Sequence, residues 1–328
     1  MRGFGAASDS YASVRKDPNQ PREGADEMCG LSTRKWSNVI DISDLANYIS
    51  HMPNQHITPQ PPTLYLTRPE GKIAYDTQGS GPLVVLVPGM GDLRSGYRFL
   101  TPALIAAGYT VVTTDLRGHG DSDTSFSTYN SVATASDIEA LIRTLGEPAV
   151  IVGNSMAAGS AAIVAAEHPD LVNGLVLVGP FVRQPANSAI GLLLFRLMMA
   201  RPWAVTMWKM YMPSLHAGTK PVDFDEYRQT VVSSLKRPGY TRTFSQTTRT
   251  DHLHAGENLA KVTAPTLVVM GDKDPDFKDP KGEAEWIGTT LRGSVVMVPN
   301  SGHYPQSQQP AITSDAIVNF LHTVTSIA

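Results

Sequence analysis

The stretch AVIVGNSMAAG (149–159) decides how this sequence is interpreted. Its first four residues are apolar, which is typical of a strand that is buried on both faces. A glycine, a serine and a run of small residues follow, and this run indicates a closely packed helix. Ser155 therefore lies between a strand and a helix, where it is either an ordinary N-cap or a nucleophile on a sharp turn.

The segments on both sides of this stretch continue an alternation of strands and helices. The triplet PEG (69–71) separates the first two strands and predicts an antiparallel pair. Continuous apolar strands separated by helices predict an α/β fold, with a mostly parallel sheet of about eight strands and helices on both faces. The predicted strands cover 63–68, 72–78, 82–88, 109–115, 149–153, 174–179, 266–272 and 294–300.

The chain divides into three parts by composition. Residues 1–60 are polar and aperiodic, apart from one predicted helix at 39–52, and indicate a loosely ordered N-terminal extension. Residues 61–182 and 263–328 carry the alternating strands and helices and form the predicted core. Residues 183–262, called the insertion below, have only helical patterns, and we predict that they cover the site as a lid.

The bulk composition excludes several classes of protein. The 328 residues include 41% hydrophobic and 17% charged residues and carry a net charge of -3, which gives no electrostatic surface for nucleic acid. The single cysteine, Cys29, cannot form an intrachain disulfide. The sequence contains no signal peptide and no apolar run of transmembrane length, so we predict a cytoplasmic protein without stable membrane insertion.

Two other predicted strand ends supply the partners that a serine nucleophile needs. Asp274 follows the strand at 266–272, and His303 follows the strand at 294–300. A histidine can accept the serine proton, and a buried carboxylate can orient that histidine. Ligands bind beyond the carboxyl ends of parallel strands, so these three residues should meet there. Asp272 and Asp276 flank Asp274 and compete for the role of the acid.

These motifs resemble the α/β-hydrolase family over residues 63–324. VPGMGD (87–92) is similar to the family's oxyanion loop, although Pro88 replaces its usual histidine, and DLRGHGDSD (115–123) is similar to its turn after the fourth strand. Ala157 also replaces the second glycine of G-x-S-x-G. The resemblance implies a triad of Ser155, Asp274 and His303, with an oxyanion hole formed by the backbone N–H groups of Met90 and Met156.

The substrate pocket is predicted from the oxyanion loop, the strand ends and the insertion. The stretch 188–213 is rich in methionine and aromatic residues, which suits an apolar pocket. The same residues would also pack the insertion onto the core, and the stretch has few Lys or Arg for binding a membrane surface. We predict a small apolar ester-type substrate and a pocket formed by Gly89, Asn154, Phe181, Met198, Met207 and Tyr211.

Several polar residues near these motifs are predicted to have structural roles. We predict that His119 is structural or lines the site without acting as the base, and that Arg117 and Asp121 stabilise a turn through ion pairs. The histidines of HLH (252–254) lack a partner at ligand spacing, so no metal site is predicted. No nucleotide-binding glycine motif is present, so no cofactor is predicted.

These observations predict a serine hydrolase that cleaves a carboxylic ester or a lactone. Two alternatives remain open at this stage. A C–C bond hydrolase or a cofactor-free perhydrolase would use the same triad, and the GNSM sequence at 153–156 resembles that of the C–C hydrolases. A ligand-binding protein that retains the fold without catalysis is the other alternative.

Overall fold

A central eight-stranded sheet organises the computed structural model, which describes residues 61–184 and 189–325. The N-terminal extension, its predicted helix at 39–52 and Cys29 lie outside the described residues. The sheet order is β1-β2-β4-β3-β5-β6-β7-β8. The strands are β1 (Leu64–Arg68), β2 (Gly71–Gln78), β3 (Leu83–Val87), β4 (Thr110–Thr114), β5 (Ala149–Asn154), β6 (Val172–Val178), β7 (Thr266–Gly271) and β8 (Ser294–Val298).

The sheet is mostly parallel, as predicted. The β2 strand pairs in an antiparallel manner with both β1 and β4, whereas the other five pairings are parallel. The residues of β3, β5 and β7 are buried throughout, which explains their continuous apolar sequences. Because the strands from β3 to β8 run in the same direction, their carboxyl ends meet at one edge of the sheet.

Eleven α-helices are present in the described part of the chain. None of them is long and apolar enough to cross a bilayer. The helices are α1 (Leu100–Ala106), α2 (Ser131–Leu145), α3 (Met156–Glu167), α4 (Ala189–Met198), α5 (Ala204–Leu215), α6 (Phe224–Leu235), α7 (Tyr240–Thr247), α8 (Leu253–Asn258), α9 (Pro280–Leu291), α10 (Pro305–Gln308) and α11 (Pro310–Thr325).

Helices cover both faces of the sheet. Residues that alternate along each strand belong to two different apolar clusters, because successive side chains point to opposite faces. One cluster includes Ile138 of α2, Ile163 of α3 and Ile287 of α9. The other includes Leu104 of α1 and Ile317 of α11. This arrangement confirms the predicted fold class.

The insertion contains α4 to α8 and has an apolar cluster of its own. Met199, Trp208, Met212 and Phe244 are buried in this cluster, which also includes Leu93 and Tyr304 from the core. These methionine and aromatic side chains therefore pack the insertion onto the core, which is one of the two roles that the sequence allowed. The insertion is joined to the core through side chains next to the carboxyl edge of the sheet.

An ion-pair network holds the segments that follow β3 and β4. Arg94 donates hydrogen bonds to the carboxylates of Asp115, Asp76 and Asp121. Arg117 forms a buried pair with Asp137, with Nη2 and Oδ1 2.8 Å apart. The predicted ion-pair roles of Arg117 and Asp121 are confirmed. Because Asp115 is only 1% exposed, its charge depends on Arg94 for compensation.

We expect that Arg94→Leu lowers the free energy of unfolding by about 3 kcal/mol or more, because it leaves the buried carboxylate of Asp115 without its cation. Urea unfolding followed by circular dichroism measures this effect. Arg143→Leu is the matched control, because Arg143 forms an exposed pair with Glu139 on α2, and its loss should cost less than about 1 kcal/mol. Equal losses in the two variants would contradict a structural role for the Arg94 network.

Candidate active site

Ser155 lies at the turn between β5 and α3 with a left-handed backbone, at φ 58° and ψ -123°. Non-glycine residues rarely adopt this conformation. Its N–H donates to the carbonyl of Val178, and its carbonyl accepts from the N–H groups of Ala158 and Phe181. Ser155 occupies the N-cap position, but its side chain makes no capping hydrogen bond. The N-cap interpretation of this serine is therefore wrong.

Small residues allow the chain to approach itself closely at this turn. A Cβ atom at Gly153 would lie 2.6 Å from the carbonyl oxygen of Ala157, and one at Gly89 would lie 2.8 Å from the Cβ of Ser155. Both distances are shorter than a real Cβ contact, so both positions require glycine. Ala157 is fully buried in α3, so the fold accommodates its methyl group where the second glycine of the motif is usual.

His303 and Asp274 form a buried hydrogen-bonded pair, which the sequence predicted. The Nδ1–H of His303 donates to Oδ2 of Asp274 over 2.7 Å, and their side chains are 2% and 0% exposed. Asp276 places its Oδ2 atom 3.7 Å from the same Nδ1. Asp272 is exposed and accepts a hydrogen bond from the N–H of Ser301. Asp274 is therefore the carboxylate that contacts the histidine.

The loop that carries His303 is tied to the strand ends by buried amides. The Nδ2 group of Asn154 donates to the carbonyls of Val178 and His303, at 3.0 and 3.2 Å. The Oε1 atom of Gln308 accepts from the N–H groups of Gly302 and Tyr304. Asn154 was predicted to line the pocket, but its side chain is fully buried, and its amide connects backbone segments instead.

The charges around His303 favour its protonated form. Burial by itself lowers the pKa of His303, but Asp274 opposes this effect through its charge and its hydrogen bond, and Asp276 and Asp92 add further negative charge. Together they raise the pKa of His303 to about 9. A histidine in these surroundings can accept a proton and hold it next to a carboxylate.

His119 supports the loop that carries the predicted oxyanion donor Met90. The N–H of Gly91 donates to Nε2 of His119 over 3.1 Å, and Nδ1 of His119 lies 3.1 Å from the carbonyl oxygen of Arg117. Burial lowers the pKa of His119 to about 4, so the ring stays neutral and its Nε2 stays an acceptor. The structure thus gives His119 the structural role that the sequence predicted.

The two predicted oxyanion donors come from the loop after β3 and from the first residue of α3. Met90 lies between Gly89 and Gly91, and Gly89 is so close to Ser155 that a side chain at position 89 would clash with it. Met156 is the first residue of α3, where an N–H group has no acceptor within its own helix. The side chain of Met156 is fully buried in the core, so only its backbone can serve the site.

Phe181 connects Ser155 with His303. Its N–H donates to the carbonyl of Ser155, and its ring centroid lies 6.0 Å from that of His303. The centroid of the same ring is 5.0 Å from that of Phe277 and 5.3 Å from that of His252, so a group of aromatic rings lies next to His303. The sequence did not indicate Phe277 or His252 as neighbours, because they come from distant segments without a motif.

The predicted pocket residues of the insertion differ in position. The hydroxyl of Tyr211 donates to Oδ1 of Asp276, so Tyr211 reaches the acidic side of the site. Met198 is half-buried against the apolar cluster of the insertion. Met207 is half-buried on α5.

Asp92 is a buried carboxylate of the site region that the sequence analysis did not single out. It follows the oxyanion loop, is 4% exposed, and accepts a 2.5 Å hydrogen bond from the hydroxyl of Tyr227. Burial raises the pKa of Asp92 to about 6, although the Tyr227 hydrogen bond opposes this shift. The only sequence signal was its place in VPGMGD, since Tyr227 is 135 positions away.

Asp274, Asp276 and His303 are also the residues that could hold a cation. Their candidate ligand atoms lie within 4.8 Å of one another. A cation bound there would have to replace the hydrogen bond between His303 and Asp274. The two histidines of HLH lie apart from this group, since His254 pairs with Glu167 and His252 stacks on Phe181.

These features agree with a comparison of the chain with known protein families. Residues 84–316 match the model of the alpha/beta hydrolase family. The matched segment runs from β3 to α11 and includes Ser155, Asp274 and His303. The chain therefore belongs to the alpha/beta hydrolase family.

Several proteins that are similar to this chain are named as hydrolases of different substrates. The chain is 30% identical over 261 residues to the 2-(acetamidomethylene)succinate hydrolase of Mesorhizobium japonicum, across 74% of this chain and 89% of that protein. It is 28% identical to the 2-hydroxy-6-oxononadienedioate/2-hydroxy-6-oxononatrienedioate hydrolase 2 of Pseudomonas putida. That match covers 76% of this chain and 91% of that protein. A thermophilic esterase from Thermogutta terrifontis has the same fold, with a TM-score of 0.68 and 24% sequence identity. The superposition covers 81% of this chain and 99% of the esterase.

We expect that His119→Leu lowers kcat/KM for a p-nitrophenyl ester about tenfold or more, because the N–H of Gly91 loses its buried acceptor and the oxyanion loop shifts. The pH dependence of kcat/KM should keep its midpoint, because His119 is neutral throughout the working range. His254→Leu removes an exposed histidine of α8 and should leave both quantities unchanged. A shifted midpoint in His119→Leu would contradict the structural role of His119.

Proposed function

We propose that this protein is a serine hydrolase that cleaves a carboxylic ester or a lactone through an acyl-enzyme on Ser155. The observation that carries the proposal is the backbone of Ser155, which leaves its hydroxyl uncapped at the N-terminus of α3. Strain at a buried non-glycine residue is retained where it serves a site. The same edge of the sheet holds the hydrogen-bonded pair of His303 and Asp274.

The reaction that we propose proceeds in two steps. The Oγ atom of Ser155 attacks the carbonyl carbon while His303 accepts the hydroxyl proton, and the backbone N–H groups of Met90 and Met156 stabilise the oxyanion. The alcohol leaves with the proton from His303, and the acyl group stays on Ser155. A water molecule then gives a proton to His303 while its oxygen attacks the acyl carbon. The bond from that carbon to Oγ of Ser155 breaks, His303 returns the proton to Oγ, and the acid leaves.

A second candidate function is the hydrolysis of a C–C bond in a diketone. The relative from Pseudomonas putida supports this candidate, because its name describes a hydrolase of 2-hydroxy-6-oxo dienedioates and trienedioates. The GNSM sequence of the nucleophile turn supports it as well. The same serine and histidine would act on a ketone instead of an ester carbonyl.

The charges of the site favour a neutral substrate over the carboxylate substrates that the names of these relatives describe. Asp92, Asp274 and Asp276 all lie in the surroundings of His303. Among the described residues, no Lys or Arg forms an ion pair with any of these three carboxylates. The charge of Arg98 opposes the rise that burial causes in the pKa of Asp92, but the guanidinium of Arg98 is engaged by Asp223 through two hydrogen bonds of 2.6 Å. A bound carboxylate would therefore meet three acidic groups around His303, and the imidazolium of His303 offsets only part of their charge.

We expect that a fluorophosphonate probe labels Ser155 in the folded protein, and that Ser155→Ala abolishes labelling and reduces ester turnover about a thousandfold or more. Intact-protein mass spectrometry and hydrolysis of p-nitrophenyl butyrate measure the two effects. Ser160→Ala is the matched control, because it removes a buried hydroxyl from the same helix, and this variant should keep both properties.

The outcomes separate the two candidate functions. Equal labelling of the protein and of Ser155→Ala would contradict a serine hydrolase of either kind. Labelling of Ser155, with turnover of a 2-hydroxy-6-oxo diketone but of no ester in a short-chain panel, would overturn the ester assignment in favour of C–C hydrolysis.

At pH 8, we expect kcat/KM for p-nitrophenyl butyrate to exceed that for p-nitrophenyl hemisuccinate by about tenfold or more. The two acyl chains have equal length, but the hemisuccinate ends in a carboxylate instead of a methyl group. The physical reason is repulsion between that carboxylate and the three acidic groups around His303, whose combined charge exceeds that of the His303 imidazolium. The preference should weaken in high salt, which screens charges outside the buried core. Equal rates for the two esters would contradict the neutral substrate class.

A further inference from the structure

A second carboxylate lies next to the base, and the proposed triad does not use it. Oδ2 of Asp276 is 3.7 Å from Nδ1 of His303, whereas Oδ2 of Asp274 is 2.7 Å from the same atom. A distance of 3.7 Å is too long for a hydrogen bond but short for a charge interaction in a buried site. The side chain of Asp276 is 19% exposed, so it is the more accessible of the two carboxylates.

The position of Asp276 is held from two directions. Its N–H donates to Oδ1 of Asp274 over 3.1 Å, which fixes the backbone of one acid against the side chain of the other. Its Oδ1 accepts a hydrogen bond from the hydroxyl of Tyr211 on α5. These contacts occupy Oδ1 of each carboxylate and leave both Oδ2 atoms near the imidazole of His303.

Tyr211 makes this arrangement dependent on the insertion. Trp208 lies one turn before Tyr211 on α5, and its Nε1–H donates to the carbonyl of Gly91 in the oxyanion loop over 2.9 Å. One face of α5 therefore contacts the oxyanion loop and Asp276 together. A shift of α5 would disturb both contacts at once.

We propose that Asp276 is a positioning residue that shares the charge of the His303 imidazolium with Asp274 and that Tyr211 of the insertion holds it in place. This inference rests on the proposed function, in which His303 becomes positively charged when it accepts the proton of Ser155. A second negative charge stabilises that imidazolium. When Asp274 is removed, Asp276 needs to move by only about 1 Å to accept the Nδ1 hydrogen bond itself.

The pH dependence of fluorophosphonate labelling tests this inference without knowledge of the substrate. Ser155 attacks phosphorus, the P–F bond breaks, and His303 accepts the serine proton, so the rate requires neutral His303. Asp276→Asn removes the charge but keeps an oxygen that accepts from Tyr211. We expect the midpoint of the acidic limb to fall by about 0.5–1 pH unit and the plateau rate to fall about three- to tenfold.

Asp225→Asn provides the matched control, because Asp225 is an exposed aspartate of α6 that pairs with Arg228. This variant should keep the midpoint and the plateau. A midpoint in Asp276→Asn equal to that of the unmodified protein would overturn the inference, because a purely structural role lowers the rate without moving the midpoint. Melting temperatures of all variants identify any loss of folding.

A second experiment measures how the two acids share the role. We expect Asp276→Asn to reduce the labelling rate about tenfold more in an Asp274→Ala background than in the unmodified protein, because Asp276 is then the remaining acceptor. Equal effects in both backgrounds would overturn the shared role. If Asp274→Ala does not fold, the pH profile of Asp276→Asn still decides the inference.

Failure of this inference is distinguishable from failure of the proposed function. A folded protein that the fluorophosphonate does not label at Ser155 contradicts the serine hydrolase itself. A protein that is labelled at Ser155, but whose midpoint does not respond to Asp276→Asn, contradicts only the role of Asp276. Tyr211→Phe adds a further check, because it keeps the charge and should change the midpoint less than Asp276→Asn does.

Discussion

The left-handed backbone of Ser155 is the constraint on which the site depends. A residue with φ of 58° between a strand and a helix directs its side chain away from both, and the surrounding structure must stabilise that conformation. It does so through hydrogen bonds to Val178 and Phe181 and through the close approach of Gly89 and Gly153. The requirement for glycine at these two positions follows from this one turn.

The rest of the site is assembled around the turn by buried polar contacts between distant segments. Asn154 connects the end of β5 to the carbonyl of His303, and Asp274 holds the imidazole from the end of β7. The N–H of Gly91 donates to neutral His119, which orients the oxyanion loop from the turn after β4. These groups are almost fully buried, so each contact is strong and the loss of a partner is costly.

Side chains of the insertion also contact the segments of the candidate site. Trp208 and Tyr211 lie on one face of α5 and contact the oxyanion loop and Asp276. Burial lowers the pKa of His303, but the charges of Asp274, Asp276 and Asp92 raise it. The fold is common to hydrolases of many substrates, so the fold by itself does not determine the substrate.

The sequence by itself determined the eight strands, their mostly parallel pairing and the order of Ser155, Asp274 and His303. Each of these follows from local apolar periodicity and from residues that end strands, which are properties of neighbouring positions. Only the tertiary structure decided that Ser155 is not a cap, that Asn154 is a buried connector, and that Asp92 and Asp276 add charge near the base. Those facts depend on Tyr227, Tyr211 and His303, which are far away in the chain, and local patterns carry no information about such contacts.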